Sequence, residues 1–204
     1  MIVHRCCMDG VDIRGSPQQG LVTATFGFFI GFAGVVLYGP VAPQFGEAMG
    51  LSGFLLGLLV AAPQLSGSLL RIPFGAWTDD VGPKKPFLIL LVLSIIGMCG
   101  LAVILLWVYP DNLTFRHYPL VFLFGSLSGC GIAVFSIGSA QTSYWYPTDS
   151  QGTALAIYAG IGNSSPGVAT LIVPVVLAAI GVTQTYLVWL LFLIAGTVVF
   201  ARYA

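Results

Sequence analysis

Residues 86–109 read Pro-Phe-Leu-Ile-Leu-Leu-Val-Leu-Ser-Ile-Ile-Gly-Met-Cys-Gly-Leu-Ala-Val-Ile-Leu-Leu-Trp-Val-Tyr, and no charged side chain interrupts them. As a helix rising ~1.5 Å per residue, such a run reaches about 36 Å, enough to cross the ~30 Å hydrocarbon core of a bilayer. Lys84 and Lys85 stand just before it and Trp107 and Tyr109 close it, as expected of a span with basic residues at one surface and aromatic anchors at the other. Outward from this run lie five further apolar stretches: Gly20–Tyr38, Leu51–Thr78, Tyr118–Ser139, Gly152–Ile180 and Val182–Arg202. The pattern predicts an all-α polytopic membrane protein, a six-helix bundle over residues 21–204 behind an N-terminal tail of residues 1–20.

The composition agrees. Hydrophobic residues make up 57% of the chain and charged residues 7%, where a soluble domain carries about a quarter charged. The formal net charge is zero, so there is no electrostatic footprint for nucleic acid and no basic tail for anionic lipid. An even number of spans puts both ends on one side. Arg5, Arg14, Lys84, Lys85 and Arg202 fall on that side and Arg116 on the other, which makes the tail cytoplasmic in a multi-pass protein of the cell membrane. The tail lacks the apolar stretch of a secretory signal.

Chemistry that breaks bonds is not expected. Cys6, Cys7, Cys99 and Cys130 show no metal-ligand or redox spacing, and Cys6 and Cys7 are read as inert. His4 and His117 lie outside the spans, and no glycine loop followed by Lys-Ser or Lys-Thr is present to cradle a nucleotide phosphate. No cofactor, metal or enzymatic activity is predicted. The acids Glu47, Asp79, Asp80, Asp111 and Asp149 are placed in loops, so no span holds a carboxylate for a proton relay or a sodium site.

Arg71 is the exception inside a span. A charge there costs roughly 2.5–3.5 kcal/mol on the insertion scale and is usually kept for a pathway or a partner. Two readings stand: the side chain snorkels toward the cytoplasmic headgroups, Asp79 lying about 12 Å further along the helix, or its planar fork of donors receives an oxyanion. Gly67, Ser68 and Gly75, three or four residues away on the same face, are expected to leave space beside the guanidinium. Phe135 in the fourth span, taken by itself, reads as a packing or lipid-facing residue. In the fifth span, Gly160-Ile161-Gly162-Asn163-Ser164-Ser165-Pro166-Gly167 concentrates poor helix formers beyond what packing alone needs, with Asn163 either bonding a neighbouring helix or donating to a ligand.

The loop Gly75-Ala76-Trp77-Thr78-Asp79-Asp80-Val81-Gly82-Pro83-Lys84-Lys85 resembles the second-to-third-span motif of the major facilitator superfamily, matched at Gly75, Asp79, Gly82, Lys84 and Lys85. That resemblance implies a cytoplasmic gating element. Arg71, Phe135 and the glycine-rich run around Asn163 narrow the resemblance to the nitrate/nitrite porter family, with Ala159 and Ser164-Ser165-Pro166 departing from its pattern. It implies a substrate arginine at Arg71, an aromatic against the anion at Phe135, and an anion site completed by Asn163, Gly160 and Gly162. The implied activity is alternating-access transport of nitrate or nitrite, by uptake or exchange; the alternatives are another small anion such as a carboxylate, or a truncated module that transports nothing. Members usually have twice as many spans, so the resemblance implies one half of a transporter that pairs with a second half or a second copy of itself.

Overall fold

The computed structural model describes residues 16–109 and 111–204, and most of the expected tail, residues 1–15, falls outside them. The helices are α1 (Pro17–Val35), α2 (Tyr38–Met49), α3 (Gly53–Val81), α4 (Lys84–Trp107), α5 (Tyr118–Ser128), α6 (Val134–Trp145) and α7 (Thr148–Tyr203). Among the described residues there is no strand.

Local chemistry sets the boundaries. Ser16 caps α1, its Oγ accepting from the Gln19 N–H at 3.3 Å, and Pro17 sits in the first turn, where a missing N–H removes no helical bond. The helix α3 stops at Gly82, whose φ of 79° is a conformation that an L side chain rarely adopts. The 56 residues of α7 would run about 84 Å if straight, far more than a bilayer accepts. They are broken at Gly181, with φ 77° and ψ 175°. Contacts with α1 give the direction on each side of the break. Gly162 meets Phe28 and Ser165 donates to the Phe29 carbonyl at 2.7 Å, so the first part of α7 runs with α1. Trp189 donates to the Ala33 carbonyl, Gly196 meets Ile30, and Tyr203 accepts from Gln19 Nε2 at 2.9 Å, so the second part runs back against it. The reversal falls between the predicted fifth and sixth spans, and it divides α7 into two antiparallel parts.

Several boundaries differ from expectation because helices continue past the apolar stretches. The first apolar stretch predicts a span ending at Tyr38; instead a turn at Val36 and Leu37 leads into α2, which carries Glu47 and ends at Gly50 with φ 62°. Asp79 and Asp80 lie in the last turn of α3 and Asp149 in the first turn of α7, where a carboxylate meets the positive end of the helix dipole. At ~43 Å, α3 is long enough to hold its acids outside the bilayer core.

The fourth span is not one α-helix. Between α5 and α6 the five residues Gly129–Ala133 form a 3₁₀ segment, and all five are buried. Gly131 lies against the backbone of Gly31 in α1, Gly129 against Pro63 in α3, and Gly97 of α4 against the backbone around Ser128. Helices in lipid gain little from the hydrophobic effect between themselves, and small residues let backbones come close enough for dispersion to hold them. The central element is α1, packed on both parts of α7, on α6, on the 3₁₀ segment and on α4. Outward faces of α3 and α7 stay uncovered, as at Leu69, Ile72, Ile161 and Leu171.

Candidate functional site

Arg71 lies ten residues before the end of α3, about 15 Å short of it. Its side chain does not run along the helix to Asp79. The guanidinium crosses to α6 and sits over the ring of Phe135, with Cζ 5.0 Å from the centroid. The Nε atom is buried and has no hydrogen-bond partner among the described residues. Asp79 instead accepts a 2.6 Å hydrogen bond from the Tyr144 hydroxyl at the end of α6. A cation over a ring face gains about 0.5–2 kcal/mol, which leaves a permanently charged fork with most of its donor capacity uncommitted.

Phe135 enters α6 just after the 3₁₀ segment. Its ring is 5.4 Å from that of Phe28 on α1 and 6.0 Å from that of Tyr158 on α7, the latter pair stacked at 25°. Three elements thus contribute one aromatic cluster, and Arg71 covers it from a fourth. Phe28 and Tyr158 escaped the sequence reading, because an aromatic side chain within an apolar span carries no spacing signal that separates it from ordinary packing.

The fifth-span residues divide between two faces. Gly162 is fitted against the Phe28 ring, so its lack of a side chain seats the aromatic that backs Phe135. Gly160 and Asn163 point away from the bundle: among the described residues nothing approaches Gly160, and the exposed Asn163 amide donates to its own helix at the Ala159 carbonyl, 2.8 Å away. The structure therefore joins Arg71 to Phe135 directly, links Gly162 to them through Phe28, and leaves Asn163 and Gly160 on an uncovered surface. The space expected beside Arg71 is partly taken. Gly67 is packed on the Gly129 carbonyl and Ile132, and Gly75 faces Ser136 at 3.7 Å, because α3 lies close along the fourth span; Ser68 remains exposed.

At the end of the bundle that holds Gln19 and Tyr203, Gly82 turns the chain, and Lys84 and Lys85 open α4 exposed. Lys84 Nζ donates to the Ala204 carbonyl at 3.0 Å. Asp79, Gly82, Lys84 and Lys85 thus flank the turn between α3 and α4, while Gly75 lies further back in α3 against Ser136 of α6. Among the described residues no cluster of His, Cys, Asp or Glu is arranged to hold a metal ion.

Several known proteins are similar to this chain in sequence. The proteins named "Probable nitrate transporter NarT" from Staphylococcus carnosus and Staphylococcus epidermidis are 27% and 29% identical to this chain, over 84% and 85% of it and 41% and 42% of their own length. The "Nitrite extrusion protein" of Bacillus subtilis is 31% identical over 80% of the chain and 38% of its own length. The chain thus spans about two fifths of the length of these relatives. The family model of the Major Facilitator Superfamily matches residues 24–204, from the first turns of α1 to the end of α7, and the chain belongs to that superfamily.

Proposed function

We propose that the chain forms one wall of a transporter that carries nitrate or nitrite across the cell membrane by alternating access, with the Arg71 guanidinium as its charge clamp. The observation that carries this reading is the pairing of a buried, unpartnered Nε with an aromatic ring as the guanidinium's neighbour. A fixed positive charge at membrane depth, with no carboxylate paired to it among the described residues, calls for an anion, and a planar fork suits a planar oxyanion. The names of the relatives support nitrate and nitrite as the anions.

In this reading Phe135 forms the apolar floor beneath the anion, and Asn163 offers its second amide N–H from the uncovered face. Gly160 keeps that face open and Gly162 holds the floor through Phe28. The same face receives a second half-transporter or a second copy of the chain, which closes the site from the far side. The stretch that carries Gly75, Asp79, Gly82, Lys84 and Lys85 acts in gating on the cytoplasmic side, with the tail and Arg202 on that side too. The chain binds and releases its substrate without making or breaking a covalent bond.

The test is nitrate binding to the intact protein in lipid nanodiscs, with nitrite, formate and chloride as competitors. Saturable binding displaced by nitrite, and lost in Arg71→Ala, is the expected result. Preferred displacement by formate would reassign the substrate to a carboxylate. Binding undiminished in Arg71→Ala would overturn the clamp.

A further inference from the structure

We infer that Tyr158 is a positioning residue for the anion site, holding both the ring and the backbone of Phe135 in place under the Arg71 guanidinium; this rests on the function proposed for the chain.

Tyr158 lies on α7 and is completely buried. Its ring stacks on Phe135 and packs against Phe28 at 5.4 Å. Its hydroxyl donates toward two successive carbonyls of α6, those of Val134 at 3.2 Å and of Phe135 itself at 3.1 Å. One side chain therefore touches Phe135 at both ends, ring to ring and hydroxyl to main chain. The hydroxyl has room only because residue 138, one turn further along α6, is glycine: a Cβ there would collide with the Tyr158 oxygen.

Packing alone does not call for this arrangement. A buried hydroxyl in an apolar cluster must be bonded to avoid a desolvation penalty, and phenylalanine would fill nearly the same volume without that requirement. The carbonyls of Val134 and Phe135 can also accept helical N–H bonds and do not need the tyrosine. What the hydroxyl adds is a fixed relation between α7 and the first turn of α6, at the residue on which the guanidinium rests. Small displacements matter there, since the cation's attraction to the ring depends on its staying over the face.

Two measurements on the intact protein in nanodiscs test the inference: nitrate affinity, and the ¹⁹F spectrum of a 4-fluorophenylalanine placed at Phe135, recorded without anion. Tyr158→Phe is expected to keep thermal stability close to wild type, to shift or broaden the fluorine line, and to weaken nitrate binding about three- to ten-fold, the scale of one lost hydrogen bond. The same substitution in a Phe135→Leu background is expected to have no further effect on affinity. An unchanged fluorine line, or unchanged affinity in Tyr158→Phe, would overturn the positioning role, as would equal effects in both backgrounds. If the line changes but the wild type binds no nitrate, the proposed function fails instead, and with it the link from Tyr158 to an anion.

Discussion

Arg71 sets the terms at the scale of single residues. Placing a guanidinium in hydrocarbon is costly, and the ring of Phe135 recovers only part of that cost. Arg71→Lys should insert and fold, yet weaken nitrate binding at least ten-fold, because an ammonium is a point charge without the bidentate geometry; titration of the two proteins side by side reads this directly. Phe135→Leu removes the ring face while keeping an apolar side chain, and should cost about 0.5–2 kcal/mol in anion affinity. At this scale the sequence was legible where a residue is out of keeping with its surroundings. Arg71 stood out because a charge among apolar neighbours needs a reason. Phe28 and Tyr158 did not, because their roles come from a meeting of three helices that no local pattern encodes. Nor could spacing show that the free space beside Gly67 would be filled by Gly129.

Among the elements, the fourth span is held by close backbone contacts rather than by large side chains. Gly129→Ala would drive a methyl group into the backbone of Pro63, and should cost about 1–3 kcal/mol as α3 and the fourth span move apart. A lower midpoint for thermal unfolding in detergent would register it. Gly162→Ala acts differently: its methyl group would strike the Phe28 ring, so anion affinity should fall along with stability. Helix lengths and the reversal in α7 could be foreseen, since apolar runs and a bilayer's thickness constrain both, and Gly181 fell in the gap between two predicted spans. The helix α2 and the 3₁₀ segment could not. Amphipathic residues 38–49 resemble a loop when Pro40, Pro43 and Gly46 interrupt them, and a Gly-Cys-Gly run reads the same whether it bends the chain or merely packs.

For the whole molecule, the packing of Gln19 on Tyr203 and of Lys84 on Ala204 brings the starts of α1 and α4 to the end of α7. With the cytoplasmic orientation proposed for that end, a cysteine at Gln19 or Lys85 should react with an impermeant maleimide only from the inner side, and one at Phe115 only from the outer. The native cysteines would be replaced by serine for this measurement. Labelling of both sites from one side would contradict the predicted six-crossing arrangement. The exposed Asn163 and Gly160 mark the face on which a second half would be sought, by cross-linking from a cysteine at Gly160.

The 3₁₀ segment also acts as a phase setter. A 3₁₀ turn advances about 120° per residue and an α-helix about 100°, so five residues of the former rotate the downstream helix by about 100° relative to a continuous α-helix and lengthen the path by about 2.5 Å. Phe135 comes two residues after Ala133. The side of the fourth span on which its ring emerges is therefore decided by the pitch of Gly129–Ala133. In a uniformly wound helix the same amino acids would send that ring about a quarter turn or more away from Arg71, with every residue of the site still present and the site itself gone.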